Sequence, residues 1–140
     1  MNVKKRVVLV EDNESTIDVV EMELKCLGYD VTTAKDGLEA LKIIGELAPD
    51  LVIMDIQMPK MDGFEAVRQI RANPKIQNVP ILAATAKALK GDREKCLAVG
   101  CDGYIAKPFT HRELDSAMNE VFKRRLAILP AQGNGPDAAT

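Results

Sequence analysis

The sequence predicts an α/β domain: a single doubly wound, five-stranded parallel sheet in the order 2-1-3-4-5, flanked by five helices. Two observations carry that expectation. Five short apolar runs alternate with five stretches of helical periodicity, and the connections between them are short enough to demand right-handed crossovers. The middle run, Leu51-Val52-Ile53-Met54, is continuously apolar, as in a strand covered by helices on both faces. With five strands instead of six, the doubly wound order is expected to place its switch point between the first and third strands.

Each element has its own signal. Arg6 to Val10 is the first strand and runs straight into Glu11-Asp12. Asn13-Glu14-Ser15 offers caps for a helix carrying Ile17, Val20, Leu24 and Leu27, which Gly28 ends. Tyr29 to Thr33 alternates as a second strand. Asp36-Gly37-Leu38-Glu39 has capping-box spacing and opens a helix with Leu38, Leu41, Ile44 and Leu47 inward. The third strand, Leu51 to Met54, ends at Asp55, and Asp62-Gly63-Phe64-Glu65 opens a helix carrying Phe64, Val67 and Ile70. Val79 to Thr85 is a fourth strand, with Pro80 tolerable near its start. A weaker helix is expected over residues 88 to 99, with Leu89, Cys96 and Leu97 inward, until Gly100. Tyr104-Ile105-Ala106 is the fifth strand and leads to Lys107-Pro108. Thr110-His111-Arg112-Glu113 caps a last helix that buries Leu114, Ala117, Met118, Val121 and Phe122 and ends near Arg124.

A length of 140 residues suits one domain, which at this size buries roughly 70% of its unfolded-chain surface. Residues 1–125 read as that domain. Residues 126–140 turn to Ala, Pro, Gly and Asn and read as a flexible tail or the start of a linker. The tail is too short for a second core, so output is expected through contact with another protein or another copy. No apolar run reaches the ~18 residues of a membrane span, and the Met1 end lacks a signal peptide's apolar stretch, so a cytoplasmic chain without membrane insertion is expected. The formal charge of −2 argues against a general nucleic-acid surface. Cys26, Cys96 and Cys101 lack metal or redox spacing and read as small core residues. His111, the single histidine, reads as a surface residue.

The chemistry gathers at strand ends. Glu11 and Asp12, Asp55, Thr85 and Lys107 fall at the carboxyl ends of strands one, three, four and five, where open α/β sheets hold ligands. Three carboxylates side by side raise one another's pKa and require a cation. Hard oxygen donors without histidine or cysteine suit Mg²⁺, which retains waters for a phosphate to replace. Three acids, one Mg²⁺ and Lys107 make a formally neutral site. Such a site suits phosphoryl transfer onto a carboxylate: Asp55 attacks in line, Mg²⁺ and Lys107 screen the phosphoryl oxygens, and the Thr85 hydroxyl donates to one of them.

Val8-Leu9-Val10-Glu11-Asp12-Asn13, Met54-Asp55-Ile56-Gln57-Met58-Pro59 with Met61-Asp62-Gly63, Ala83-Ala84-Thr85-Ala86, and Tyr104-Ile105-Ala106-Lys107-Pro108-Phe109 together resemble the receiver domain of two-component response regulators. The match spans about residues 5 to 124, in order. The resemblance implies a flavodoxin-like fold with Asp55 as phosphoacceptor. It also implies Mg²⁺ held by Asp12, Asp55 and the Gln57 backbone carbonyl, with Glu11 acting largely through a metal-bound water. Thr85 and Tyr104 resemble a switch pair and Lys107 the phosphate-binding lysine, and a cis Lys107-Pro108 bond is implied. The implied role is a switch and not an enzyme, beyond catalysing its own phosphorylation and slow dephosphorylation. Its phosphodonor is a histidine kinase or histidine phosphotransfer protein, and its output passes through the face of helix four, strand five and helix five. Lys87, Lys90, Arg93, Lys95 and Lys123-Arg124-Arg125 offer that side a basic character. A haloacid dehalogenase-type phosphatase needs a second carboxylate where Gln57 stands, and an FMN carrier needs a phosphate cradle where Glu11-Asp12 stand. The alternative left is a receiver-like binding module that is never phosphorylated.

Overall fold

The computed structural model describes residues 4–57, 62–85 and 91–128. The element order is β1 (Arg6–Val10), α1 (Glu14–Cys26), β2 (Asp30–Ala34), α2 (Gly37–Leu47), β3 (Leu51–Asp55), α3 (Gly63–Ala72), β4 (Ile81–Thr85), α4 (Asp92–Val99), β5 (Gly103–Ala106) and α5 (His111–Ile128). All four strand pairs are parallel, in the order β2-β1-β3-β4-β5. The five-strand, doubly wound expectation holds.

Strand alternation divides the core into two layers. Val8, Val10, Val52, Met54, Ile81 and Ala83 face one way and meet Ala40 and Ile44 of α2, Ala66, Val67 and Ile70 of α3, and Cys96 of α4. Val7, Leu9, Leu51, Ile53, Leu82, Ala84 and Ile105 face the other way and meet Val20 and Leu24 of α1 and Leu114, Met118 and Val121 of α5. Every residue of β3 and β4 is buried, which is why their sequences are apolar without alternation.

Capping follows the sequence signals. The side chains of Asn13, Asp36 and Asp62 accept from the amides of Thr16, Glu39 and Glu65. At α5 the box is complete: Thr110 Oγ1 accepts from Glu113 N at 3.1 Å, and Glu113 Oε1 accepts from Thr110 N at 2.8 Å. Each such cap is worth about 1 kcal/mol.

Three packing expectations are corrected. Leu38 is exposed, because α2 turns Gly37, Ala40 and Ile44 inward and the small residues let its backbone approach the sheet. Leu97 is exposed, because α4 presents Cys96 to the core and the next residue lies a quarter-turn or more away. Cys26 is exposed at the end of α1, off the stripe formed by Ile17, Val20 and Leu24, so of the three cysteines only Cys96 and Cys101 belong to the core. α4 is described from Asp92, and the expected inward Leu89, with Lys87 and Lys90, lies outside the described residues. α5 runs on to Ile128, past the expected end near Arg124, and 129–140 lie outside the described residues.

At the amino ends of the strands, Arg71 ties the end of α3 to the loop before β4 and to the turn before β5. Its guanidinium donates to Gly100 O, Gln77 O and Val79 O and to Asp102 Oδ2 at 3.0 Å. Asp102 Oδ2 also accepts from Ile81 N, the first amide of β4, at 2.8 Å. Arg125 of α5 reaches the same carboxylate, with Nε 3.3 Å from Oδ1. Arg125 therefore points inward and does not contribute to the basic surface expected at 123–125.

Candidate metal and phosphoacceptor site

The site follows from the strand register. β1 and β3 pair Val10 with Met54, so the residues just beyond, Glu11 and Asp55, emerge side by side. β3 and β4 pair Asp55 with Ala84, and β4 and β5 pair Thr85 with Ala106, which delivers Thr85 and Lys107 to the same edge. Lys107 N donates to Thr85 O at 2.7 Å, and the Lys107-Pro108 bond is cis, as the family resemblance implied.

One carboxylate oxygen from each of Glu11, Asp12 and Asp55 can be chosen so that all three lie within 4.8 Å of one another. Glu11 (3% exposed) and Asp55 (4%) are buried, whereas Asp12 is open to solvent. The Lys107 ammonium lies 2.5 Å from Glu11 Oε1 and 3.6 Å from Asp55 Oδ2. Backbone amides hold the remaining oxygens: Asn13 N donates to Glu11 Oε2 at 3.2 Å and Gln57 N donates to Asp55 Oδ1 at 3.0 Å.

Burial raises the Asp55 pKa to about 6. The Gln57 amide and Lys107 pull it down, and the neighbouring Glu11 pushes it back up. An anion partly desolvated beside a second anion is held at a cost that a divalent cation would remove. Hard oxygen donors, one pair buried and one accessible, fit Mg²⁺ well.

Thr85, 1% exposed, ends β4 next to the strand neighbour of Asp55. Tyr104 stands opposite Ala83 on β5, half-buried. It lines a groove of about 590 Å³ between α4 and α5, with Arg93, Leu97 and Arg112 among its neighbours there. Burial raises its phenol pKa, with Asp92 and Cys96 adding to the rise.

Gly63, which belongs to a capping box and to one of the motifs of the family resemblance, is also a positioning residue. Its amide donates to Ile56 O at 2.9 Å, and a Cβ there would stand 2.5 Å from Ile56 Cα and 2.6 Å from Asp55 O. Glycine lets the start of α3 press directly on the backbone that carries Asp55. The available signal was glycine at the first position of a helix, where capping itself does not ask for it. Met58, Pro59 and Met61 lie outside the described residues.

Comparison with known proteins agrees with this geometry. Residues 7–119 match the response regulator receiver domain family. A probable transcriptional regulator, ycf27, of Guillardia theta is 40% identical over 124 residues, which are 89% of this chain and 48% of that protein, so the chain spans about half the length of that relative. The polar-differentiation response regulator DivK of Brucella anthropi is 38% identical over 106 residues, 76% of this chain and 86% of DivK. Among solved structures, the receiver domain of the sensor histidine kinase PA1611 of Pseudomonas aeruginosa, with a magnesium ion coordinated in its active-site cleft, superposes with a TM-score of 0.78 at 40% identity, covering 86% of this chain and 99% of that one. No helix among the described residues is long and apolar enough to cross a membrane. From its strand order, its strand-end carboxylates and these matches, the chain belongs to the response regulator receiver domain family of two-component signalling systems.

Proposed function

We propose that this chain is a phosphorylation-activated switch in which Asp55 accepts a phosphoryl group from a histidine kinase or histidine phosphotransfer protein. The observation that carries the reading is the buried Asp55 carboxylate, with one oxygen held by the Gln57 amide and the other 3.6 Å from the Lys107 ammonium, inside a cluster of three acids. A carboxylate fixed in this way is a pre-oriented nucleophile. A carboxylate oxygen of Asp55 attacks phosphorus, the P–N bond to the donor imidazole breaks, and the imidazole nitrogen takes up a proton. Lys107 then moves from Glu11 toward the transferred phosphoryl oxygens, and Thr85 donates to one of them.

Asp12, Asp55 and the Gln57 carbonyl would hold Mg²⁺, with Glu11 behind them through a bound water. The ion, when bound, offsets the negative charge that gathers on the phosphoryl oxygens. The domain would catalyse its own phosphorylation and slow dephosphorylation and no other reaction. Residues 1–125 form the working domain, and 126–140 serve as tail or linker. Output passes from Thr85 and Tyr104 to the α4, β5 and α5 face, where a protein target or a second copy binds, without nucleic acid or membrane insertion, in the cytoplasm.

The test is incubation with acetyl phosphate and Mg²⁺, read by intact mass, with Asp55→Asn as control. One phosphoryl mass, stable to acid and labile to base, is expected on the wild type and none on the variant. No mass gain on the wild type would leave the never-phosphorylated binding module as the reading. Equal gain on the variant would remove Asp55 as the acceptor.

A further inference from the structure

A second reactive group lies beneath α4, apart from the carboxylates. The helix closes in a Schellman turn: Gly100, at φ 115°, donates to Leu97 O at 3.1 Å, and Cys101 N donates to Cys96 O at 2.9 Å. This turn brings together the side chains of the residues four before and one after its glycine. Here both are cysteines. They are 0% and 6% exposed and belong to one core layer. The two thiols act on each other's ionisation: interaction with Cys101 lowers the Cys96 pKa, whereas interaction with Cys96 and burial raise that of Cys101.

α4 is also held less firmly than the helices before it. Cys96 is its single buried residue, and its N-cap, Gly91, makes no side-chain cap bond, whereas α1, α2 and α3 each bury three or four residues and carry a side-chain cap. A helix anchored by so little apolar contact opens locally more often than its neighbours, and opening admits a small oxidant.

From this geometry we propose that Cys96 and Cys101 are a redox-active dithiol, a modification site at which a peroxide closes an intramolecular disulfide across the C-terminal turn of α4. The Cys96 thiolate attacks one peroxide oxygen and the O–O bond breaks, giving a sulfenic acid and hydroxide, which takes up the thiol proton as water. The Cys101 sulfur then attacks the sulfenic sulfur. The S–O bond breaks, and the departing hydroxide takes the Cys101 proton as a second water. Two electrons leave the sulfurs and reduce one hydrogen peroxide. The new bond fastens the last turn of α4 to the residue two before β5, at the same turn whose Gly100 carbonyl Arg71 grips.

The experiment treats the folded chain with hydrogen peroxide, quenches with catalase, alkylates in denaturant and digests with trypsin. Both thiols lie on one peptide, which begins at Cys96 after Lys95 and runs to Arg112 because Pro108 protects Lys107. Cys26 lies on a separate peptide and reports the reactivity of an exposed thiol. The expected product is an unalkylated 96–112 peptide lighter by two hydrogens, which regains two alkylation sites after dithiothreitol. In Cys101→Ser the same treatment leaves Cys96 as an oxyacid without a cross-link. Two alkylated cysteines in that peptide at exposures that have consumed Cys26, oxygen added there without a cross-link, or a bond from either cysteine to Cys26 would each overturn the proposal.

Discussion

The Lys107 ammonium leans toward Glu11 and away from Asp55, at 2.5 Å against 3.6 Å. The stronger ion pair therefore goes to the carboxylate that is not the proposed acceptor, and Asp55 carries its negative charge with weaker compensation. Burial raises its pKa to about 6, and the distant Lys107 pulls it only part of the way back.

The sign of the resulting pH dependence is fixed. With a folded pKa near 6 and an ordinary value of 3.8, the folded state binds the Asp55 proton more tightly than the unfolded chain does. The stability this contributes is fully present below about pH 4 and is lost as pH rises through 6. Without Mg²⁺, Asp55→Asn should therefore be more stable than wild type at pH 7, by roughly 1–3 kcal/mol, and lose that advantage at pH 4. Urea melts at the two pH values check this, and saturating Mg²⁺ at pH 7 should close the gap. Equal stability at pH 7 without metal would contradict a strained Asp55 anion.

Asp12→Ala should lower Mg²⁺ affinity about tenfold or more, equivalent to ~1.4 kcal/mol, and leave the fold intact because it also removes a repelling charge. Calorimetric titration with Mg²⁺ reads this directly. An unchanged affinity takes Asp12 out of the metal shell.

Gly63→Ala should destabilise by about 1–3 kcal/mol, because its Cβ meets backbone, not a flexible side-chain end, and should slow phosphorylation from acetyl phosphate. Gly45→Ala makes the paired control. Gly45 lies inside α2 with nothing within 4 Å of the added carbon, so alanine there should stabilise by up to about 1 kcal/mol. If both variants shift stability in the same direction, the close approach at Gly63 does not hold the acceptor loop.

Thr85→Ala should still be phosphorylated on Asp55 but lose most of the response at the α4, β5 and α5 face. One hydrogen bond to a charged acceptor, about 1.5–3 kcal/mol, corresponds to a roughly ten- to hundred-fold shift between two states. Amide exchange over residues 91–106, with and without beryllofluoride, measures it. A variant that responds as fully as wild type shows that the signal bypasses Thr85.

Asp55 and Lys107 were legible in the sequence because a strand that is apolar throughout must end at the sheet edge, and whatever polar residue follows it emerges there. The order of the strands followed from their number and from the short connections. Leu38 and Leu97 were misplaced because size outweighed phase: the inner face of α2 is carried by Gly37 and Ala40, which a search for large apolar residues passes over. The Arg71, Asp102 and Arg125 cluster left no local trace at all. Its members are 23 to 54 residues apart or adjacent only through the fold, and each reads as an ordinary surface charge.

That cluster sits at the amino ends of the strands, whereas Glu11, Asp55 and Lys107 occupy the carboxyl ends. The molecule thus keeps its scaffold hardware and its chemistry at opposite poles, separated by the length of the sheet. An engineer wishing to raise thermal tolerance or retune a reporter built on this chain can work around Arg71 and Val79 without entering the reaction centre.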